Sequence, residues 1–256
     1  MDAEARRPRS ALGLALMLAF ALVAGAGFFS LGVWQVHRLA WKEALIARVA
    51  RNVNAAPAPA PGPADWARIG PGDEYRRVRA QGVFDHAHEV QVAATTELGA
   101  GYWVLTPMRT SQGWWLLVNR GFVPPDMRGH VPATQADQAV TGLLRAREPK
   151  GALLQDNDPG AGRWYSRDVA AIAAAQGLPG PVAPYFVDAQ VEGPAGAKAW
   201  PRAGLTVLSF PNNHLVYAGT WFILAAMVVA ALAYLLAHER RLRHPHGAAA
   251  SAEQRS

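Results

Sequence analysis

The chain has 256 residues, of which 51% are hydrophobic, with a formal net charge of +6 and no cysteine. The missing cysteines exclude disulfides, thiolate-bound zinc, iron–sulfur clusters and covalent c-type haem attachment. Mean hydropathy is only +0.01, so the apolar residues are concentrated in a few segments, and the basic excess suits a membrane surface or an anionic cofactor. No arginine-rich stripe or RNA-binding signature supports nucleic acid as a partner.

Residues 1–10 form a short basic N-terminus with Arg6, Arg7 and Arg9. Residues 11–33 are apolar and uncharged, long enough to cross a bilayer as a first transmembrane helix. Ala24-Gly25-Ala26 fits a signal-peptide cleavage site, but Phe28, Phe29 and Leu31 carry the apolar run past it, which favours a retained anchor. Residues 34–54 read as an amphipathic juxtamembrane helix, with Trp34, Trp41, Leu45 and Val49 recurring on one face. Residues 55–74 are a Pro-rich linker, opened by AAPAPAPGP, which suits neither a helix nor a central strand.

Residues 75–210 read as a β-rich domain. The expected strands are Arg76 to Phe84, His88 to Thr95, Tyr102 to Arg109, Trp114 to Arg120, Val140 to Arg147, Tyr185 to Ala189 and Leu205 to Phe210. Thr110-Ser111-Gln112-Gly113 is a hairpin loop, and Ser166 to Gln176 is a helix with Ser166 as its cap and Gly177 at its end. Residues 211–237 form a second transmembrane helix with a polar entry, Asn212-Asn213-His214. Residues 238–256 are a basic, partly disordered tail. The fold class expected is a membrane protein of α+β type. Two transmembrane helices form a hairpin around a small, mostly antiparallel β domain with one helix, in the manner of a partial barrel.

The positive-inside rule places both termini in the cytoplasm and the central domain outside, which in a bacterium is the periplasm. The spacings Ala21/Gly25 and Ala226/Ala230 suit close approach of the two spans. His86-x-His88 would share a face in an extended strand, but two ligands are too few to make a metal site. No GxSxG, HExxH or phosphate-cradling glycine loop is present.

His214 carries the sharpest question. A titratable ring at the mouth of a membrane helix costs energy unless it is solvated or used. His214, Tyr217, Trp221 and Val228 fall on one helix face, a wall suited to a flat, apolar, ligatable molecule such as haem; ordinary interfacial decoration is the alternative. His37 lies just past the first span at a similar depth, so two histidines on one iron is a second expectation. Asn213 and Arg38 would then face the propionates.

Several motifs occur in order along the chain. They are Leu31-Gly32-Val33-Trp34-Gln35 with Arg38, Trp41-Lys42 and Leu45-Ile46; Gly82-Val83-Phe84-Asp85 with Glu89; and Gly101-Tyr102-Trp103-Val104-Leu105-Thr106-Pro107. Val118-Asn119-Arg120-Gly121-Phe122-Val123-Pro124 follows, then Asn157-Asp158-Pro159 with Trp164-Tyr165-Ser166-Arg167-Asp168, then Asn212-Asn213-His214-Leu215 with Tyr217, Thr220 and Trp221. Together they resemble the Surfeit locus protein 1 family. Phe122 stands where Trp is common, and Lys150 to Gln155 is shifted in spacing. The resemblance implies a non-enzymatic assembly factor for haem-copper cytochrome c oxidase. It implies binding of haem a through His214 and help in inserting it into oxidase subunit I, with haem a synthase as a further partner. A scaffold that stabilises nascent subunit I without binding haem is the competing reading. The implied location is the cell inner membrane.

Overall fold

A computed structural model describes residues 9–133, 137–149, 155–191 and 200–243. The expectations for Arg6 and Arg7, for residues 150–154 and for the tail after Arg243 lie outside the described residues. The chain divides into two units, Met1–Leu45 with Phe210–Ser256, and Ile46–Ser209.

The first unit is a helix pair. Helix α1 runs unbroken over Ala11–Asn54, where a separate juxtamembrane helix was expected from Trp34. Nothing interrupts it because no proline or glycine lies between Val33 and Asn54. At the far end of the described chain, helix α3 spans His214–Arg243. Both helices are long and apolar enough to cross a membrane, each with a stretch of mean hydropathy 2.3 that is unburied. Phe20, Val23 and Tyr234 are more than 70% exposed, an arrangement that is unfavourable in water and natural in lipid.

The helices meet through small residues. A Cβ on Gly32 would lie 2.6 Å from the Phe222 ring, and one on Gly25 would lie 3.6 Å from Val228. Phe28 stacks on Trp221 with centroids 5.8 Å apart, and Phe29 meets Phe222 edge-on. On α3 the buried alanines are Ala218 and Ala225, whereas the expected Ala226 and Ala230 are exposed. Seven residues are close to two full turns, so Ala218 and Ala225 share the packed side. Ala226 is rotated about 100° from Ala225 and points away. Near the other end of the pair, Glu239 is buried and accepts from the Arg9 backbone N–H, with the Arg9 and Arg243 side chains 3.9 and 4.0 Å away.

The second unit is a small β-barrel. Its strands are β1 (Ala58–Pro59), β2 (Arg77–Phe84), β3 (Val90–Thr96), β4 (Gly99–Thr110), β5 (Trp115–Val123), β6 (Gln138–Ala146) and β7 (Val182–Ala189). They lie in the order β1-β2-β6-β7-β5-β4-β3, and a further β2–β4 pairing closes the ring. Strand β4 makes closure possible because it is long. Its first half pairs with β3, and its last residues, Met108 to Thr110, pair with Phe84 to Gly82 of β2. Gly82 sits at that crossing, where a Cβ would strike the Arg109 carbonyl. Pairing is antiparallel except for β5–β7 and β1–β2.

Strand alternation separates two cores. Leu116, Val118, Tyr185 and Val187 point into the barrel with Val78, Met108, Trp114 and Leu144. Leu117 and Phe186 point the other way, into a layer with Val90, Val92, Leu105, Trp164 and helix α2 (Val169–Ala175). Strands β5 and β7 are therefore covered on both faces, which explains the near-continuous apolar run in Trp114–Val118.

Three local expectations are corrected. Asp168, not Ser166, caps α2, accepting from the N–H groups of Ala170 and Ala171. Ser166 is buried and instead accepts from the Asn157 side chain at 2.8 Å. Leu205 to Phe210 is not a strand; Thr206 is instead held by a side-chain bond to Asp188. The Pro-rich segment is extended as expected, yet it is docked rather than free. Pro59 and Ala58 pair with β2, Ala60 is in the core, and the Pro61 carbonyl accepts from Trp66 Nε1 and the Tyr185 hydroxyl.

Candidate functional site

Pro211 precedes the start of α3, and the Asn213 carbonyl accepts the first helical bond, from Tyr217 N–H at 3.2 Å. This puts His214 at the first position of the helix. Its Nδ1 lies 2.8 Å from Oε1 of Gln35 on α1. Gln35 is 9% exposed, a buried amide between two apolar helices. In the tautomer that carries its proton on Nδ1, the ring donates to the Gln35 amide oxygen and Nε2 keeps its lone pair. Nε2 has no hydrogen-bond partner among the described residues. Two residues before His214, the Asn212 Oδ1 is buried with no partner.

The other expected site residues are placed as follows. Trp221 lies two turns along on the same side, its ring taken up by Phe28. Tyr217 is 55% exposed at the rim of the helix contact. Asn213 is exposed. His37 is exposed and two residues from Gln35, which puts it about 200° around α1. The structure therefore does not bring His37 together with His214, and the partner α1 supplies is Gln35. Arg38 is exposed and lies over Trp41, with its guanidinium carbon 4.2 Å from the ring centroid.

Gln35, Phe28 and Asn212 were not singled out from the sequence as site residues. Gln35 carried a signal: it is the first uncharged polar side chain after the apolar run from Leu31 to Trp34. Its facing partner is a tertiary fact.

The barrel holds two further polar clusters. Asp188, at 5% side-chain exposure, accepts from Asn119, Arg145, Arg167 and Thr206. Arg145 also binds Glu74, and Arg167 makes a forked pair with Glu148. Burial opposes the charge on Arg145, but Asp188 and Glu74 outweigh it and raise its pKa above the ordinary value. In the second cluster Arg120 is the extra residue of a β-bulge, since Val104 pairs with Gly121 and Leu105 with Asn119. The bulge turns Arg120 toward Glu89 (3.1 Å), His86 (3.3 Å) and the Pro132 carbonyl (2.6 Å). Burial lowers the Arg120 pKa, with Glu89 opposing the shift. His86 and His88 lie in a 3₁₀ turn, and His88 Nδ1 is 2.7 Å from Asp85. No group of three or more metal-ligating side chains occurs among the described residues. These clusters are satisfied from within the domain, whereas the helix-pair cluster leaves an imidazole nitrogen and an amide oxygen unused.

The family model for the SURF1 family matches residues 22–226, a span that includes both Gln35 and His214. Surfeit locus protein 1 of Mus musculus is 34% identical over 233 residues, covering 81% of this chain and 71% of that protein. Its counterpart in Homo sapiens is 33% identical over 227 residues, covering 77% and 70%. The Takifugu rubripes protein is 32% identical over 236 residues, covering 81% and 91%. With matched residues running from one apolar helix through the barrel into the other, the chain belongs to the SURF1 family.

Proposed function

We propose that the chain is an assembly factor for haem-copper cytochrome c oxidase, and that it carries haem a for insertion into oxidase subunit I. In this reading it sits in the cell inner membrane with both termini in the cytoplasm, receives its cargo from haem a synthase and is not itself an enzyme. Family membership supports the oxidase setting, and two bilayer-length apolar helices support the membrane setting. One observation carries the cargo assignment: the His214–Gln35 pair.

The residues suit the group. Iron takes a neutral imidazole through a nitrogen lone pair, and a hydrogen bond on the other ring nitrogen fixes the tautomer and orients the ring. Gln35 provides that bond and leaves Nε2 for the iron. An amide is a weaker acceptor than a carboxylate, so it raises the basicity of the imidazole less, which suits a cargo that must be released. Haem a also carries a long farnesyl tail, and exposed apolar side chains such as Leu215, Val216 and Ile223 lie along α3 for it.

The test is a visible spectrum of the chain purified in mild detergent from a host that makes haem a. The parent shows a haem a spectrum, and His214→Ala loses it while the barrel keeps its unfolding transition. Gln35→Leu keeps ligation but weakens it at least tenfold, in the range usual for loss of an outer hydrogen bond to a ligating histidine. A colourless parent from membranes rich in haem a would overturn the carrier reading in favour of a scaffold for subunit I.

A further inference from the structure

We infer that Arg38, framed by Trp34 and Trp41 on α1, is a binding site for the phosphate of an anionic phospholipid. The three residues fall at positions i, i+4 and i+7, so they form one stripe on the helix. Trp34 is 56% exposed and Trp41 51% exposed, both large apolar surfaces that the helix pair leaves uncovered. The central carbon of the Arg38 guanidinium lies over the Trp41 ring, 4.2 Å from its centroid. A cation–π contact of this kind uses none of the guanidinium N–H donors in a hydrogen bond, so they remain available to fork onto a phosphate. Arg38 makes no hydrogen bond and no ion pair among the described residues.

Charge and position select the occupant. No aspartate or glutamate lies on α1 before Glu43, so nothing on this stretch neutralises Arg38. Lys42, one turn on, has its ammonium over the Phe210 ring at 5.4 Å and adds a second positive charge. The stripe begins one residue past the apolar run Ala11–Val33, at the depth where a spanning helix passes lipid headgroups. Tryptophan rings lie well at that depth, and a guanidinium between them meets phosphates rather than water alone. Gln35, not Arg38, is the residue that engages His214, so the inference gives Arg38 to lipid rather than to a cargo carboxylate. It rests on reading the two helices as membrane spans and does not depend on the haem reading.

The experiment is native mass spectrometry of the full chain in detergent, titrated separately with phosphatidylglycerol and phosphatidylcholine. The parent retains phosphatidylglycerol preferentially. Arg38→Gln lowers that retention about fivefold, the effect of one basic residue at an anionic surface. Trp41→Leu lowers it less, and Arg38→Lys retains part of it. Arg68→Gln, which removes one charge from the barrel domain, leaves it unchanged. Equal retention of the two lipids by the parent, or unchanged retention by Arg38→Gln, overturns the assignment. Haem a titration of the same variants separates the sources of anionic ligand. If Arg38→Gln weakens haem and spares phosphatidylglycerol, Arg38 belongs to the cargo and the inference fails. If the chain stays soluble and monomeric without detergent, the span reading fails and takes the inference with it.

Discussion

The Asp188 network of the barrel and the polar residues of the helix pair are used in opposite ways. In the barrel, Asp188 is surrounded by four donors, and Arg145 and Arg167 each reach a second carboxylate. Such a network is filled from inside and leaves little for a ligand. In the helix pair, polar side chains are few, and His214, Asn212 and Arg38 keep atoms or charge that the described residues do not use. The difference shows where to look for function: satisfied polar clusters hold a fold together, and unsatisfied ones at an exposed site await a ligand.

The largest expected effect comes from breaking the satisfied side. Asp188→Ala leaves two guanidiniums buried without their shared anion and destabilises the barrel by about 3–5 kcal/mol. Denaturant unfolding of the full chain, followed by tryptophan fluorescence, measures it; a loss under 1 kcal/mol would show that the network is solvated. Next comes the barrel seam. Gly82→Ala places a Cβ against the Arg109 carbonyl and costs about 1–3 kcal/mol by forcing the β2–β4 crossing apart. Unchanged stability would mean that the seam adapts without strain.

A smaller effect is read from pH. Burial pushes the Tyr185 hydroxyl, which donates to the Pro61 carbonyl, above the usual tyrosine range. Its folded pKa is raised, so its contribution to stability is complete below about pH 10 and declines as pH rises from there toward the folded value. In an alkaline spectrophotometric titration, one of the six tyrosines resists ionisation until the chain unfolds; Tyr185→Phe removes that step. The smallest stability change belongs to the helix pair. Gln35→Leu costs about 0.6 kcal/mol of folding stability, the average for a polar contact between membrane helices, although under the proposed carrier function it weakens haem binding far more. A loss as large as that of Asp188→Ala would make the pair a structural bond and reverse the contrast.

Residue pattern alone determined much of this protein. Short runs of β-type residues bounded by turn signals marked six of the seven strands, apart from the two-residue β1, because such residues suit a packed, pleated surface. Length and hydropathy marked both long helices. Position marked His214, since a titratable ring at the start of an apolar helix is costly without a use. Pattern misplaced Leu205 to Phe210, because β propensity says only that a segment suits a sheet and not that a sheet pairs with it. It also joined His37 to His214 by depth, whereas helix rotation turns His37 away and presents Gln35. The Asp188 hub draws on residues 119, 145, 167, 188 and 206, whose spacing carries no period. Sequence determined the elements, because propensity and hydropathy act over a few residues. Tertiary structure decided the partners, because a hydrogen bond between residues 35 and 214 depends on rotation and register that no local signal records.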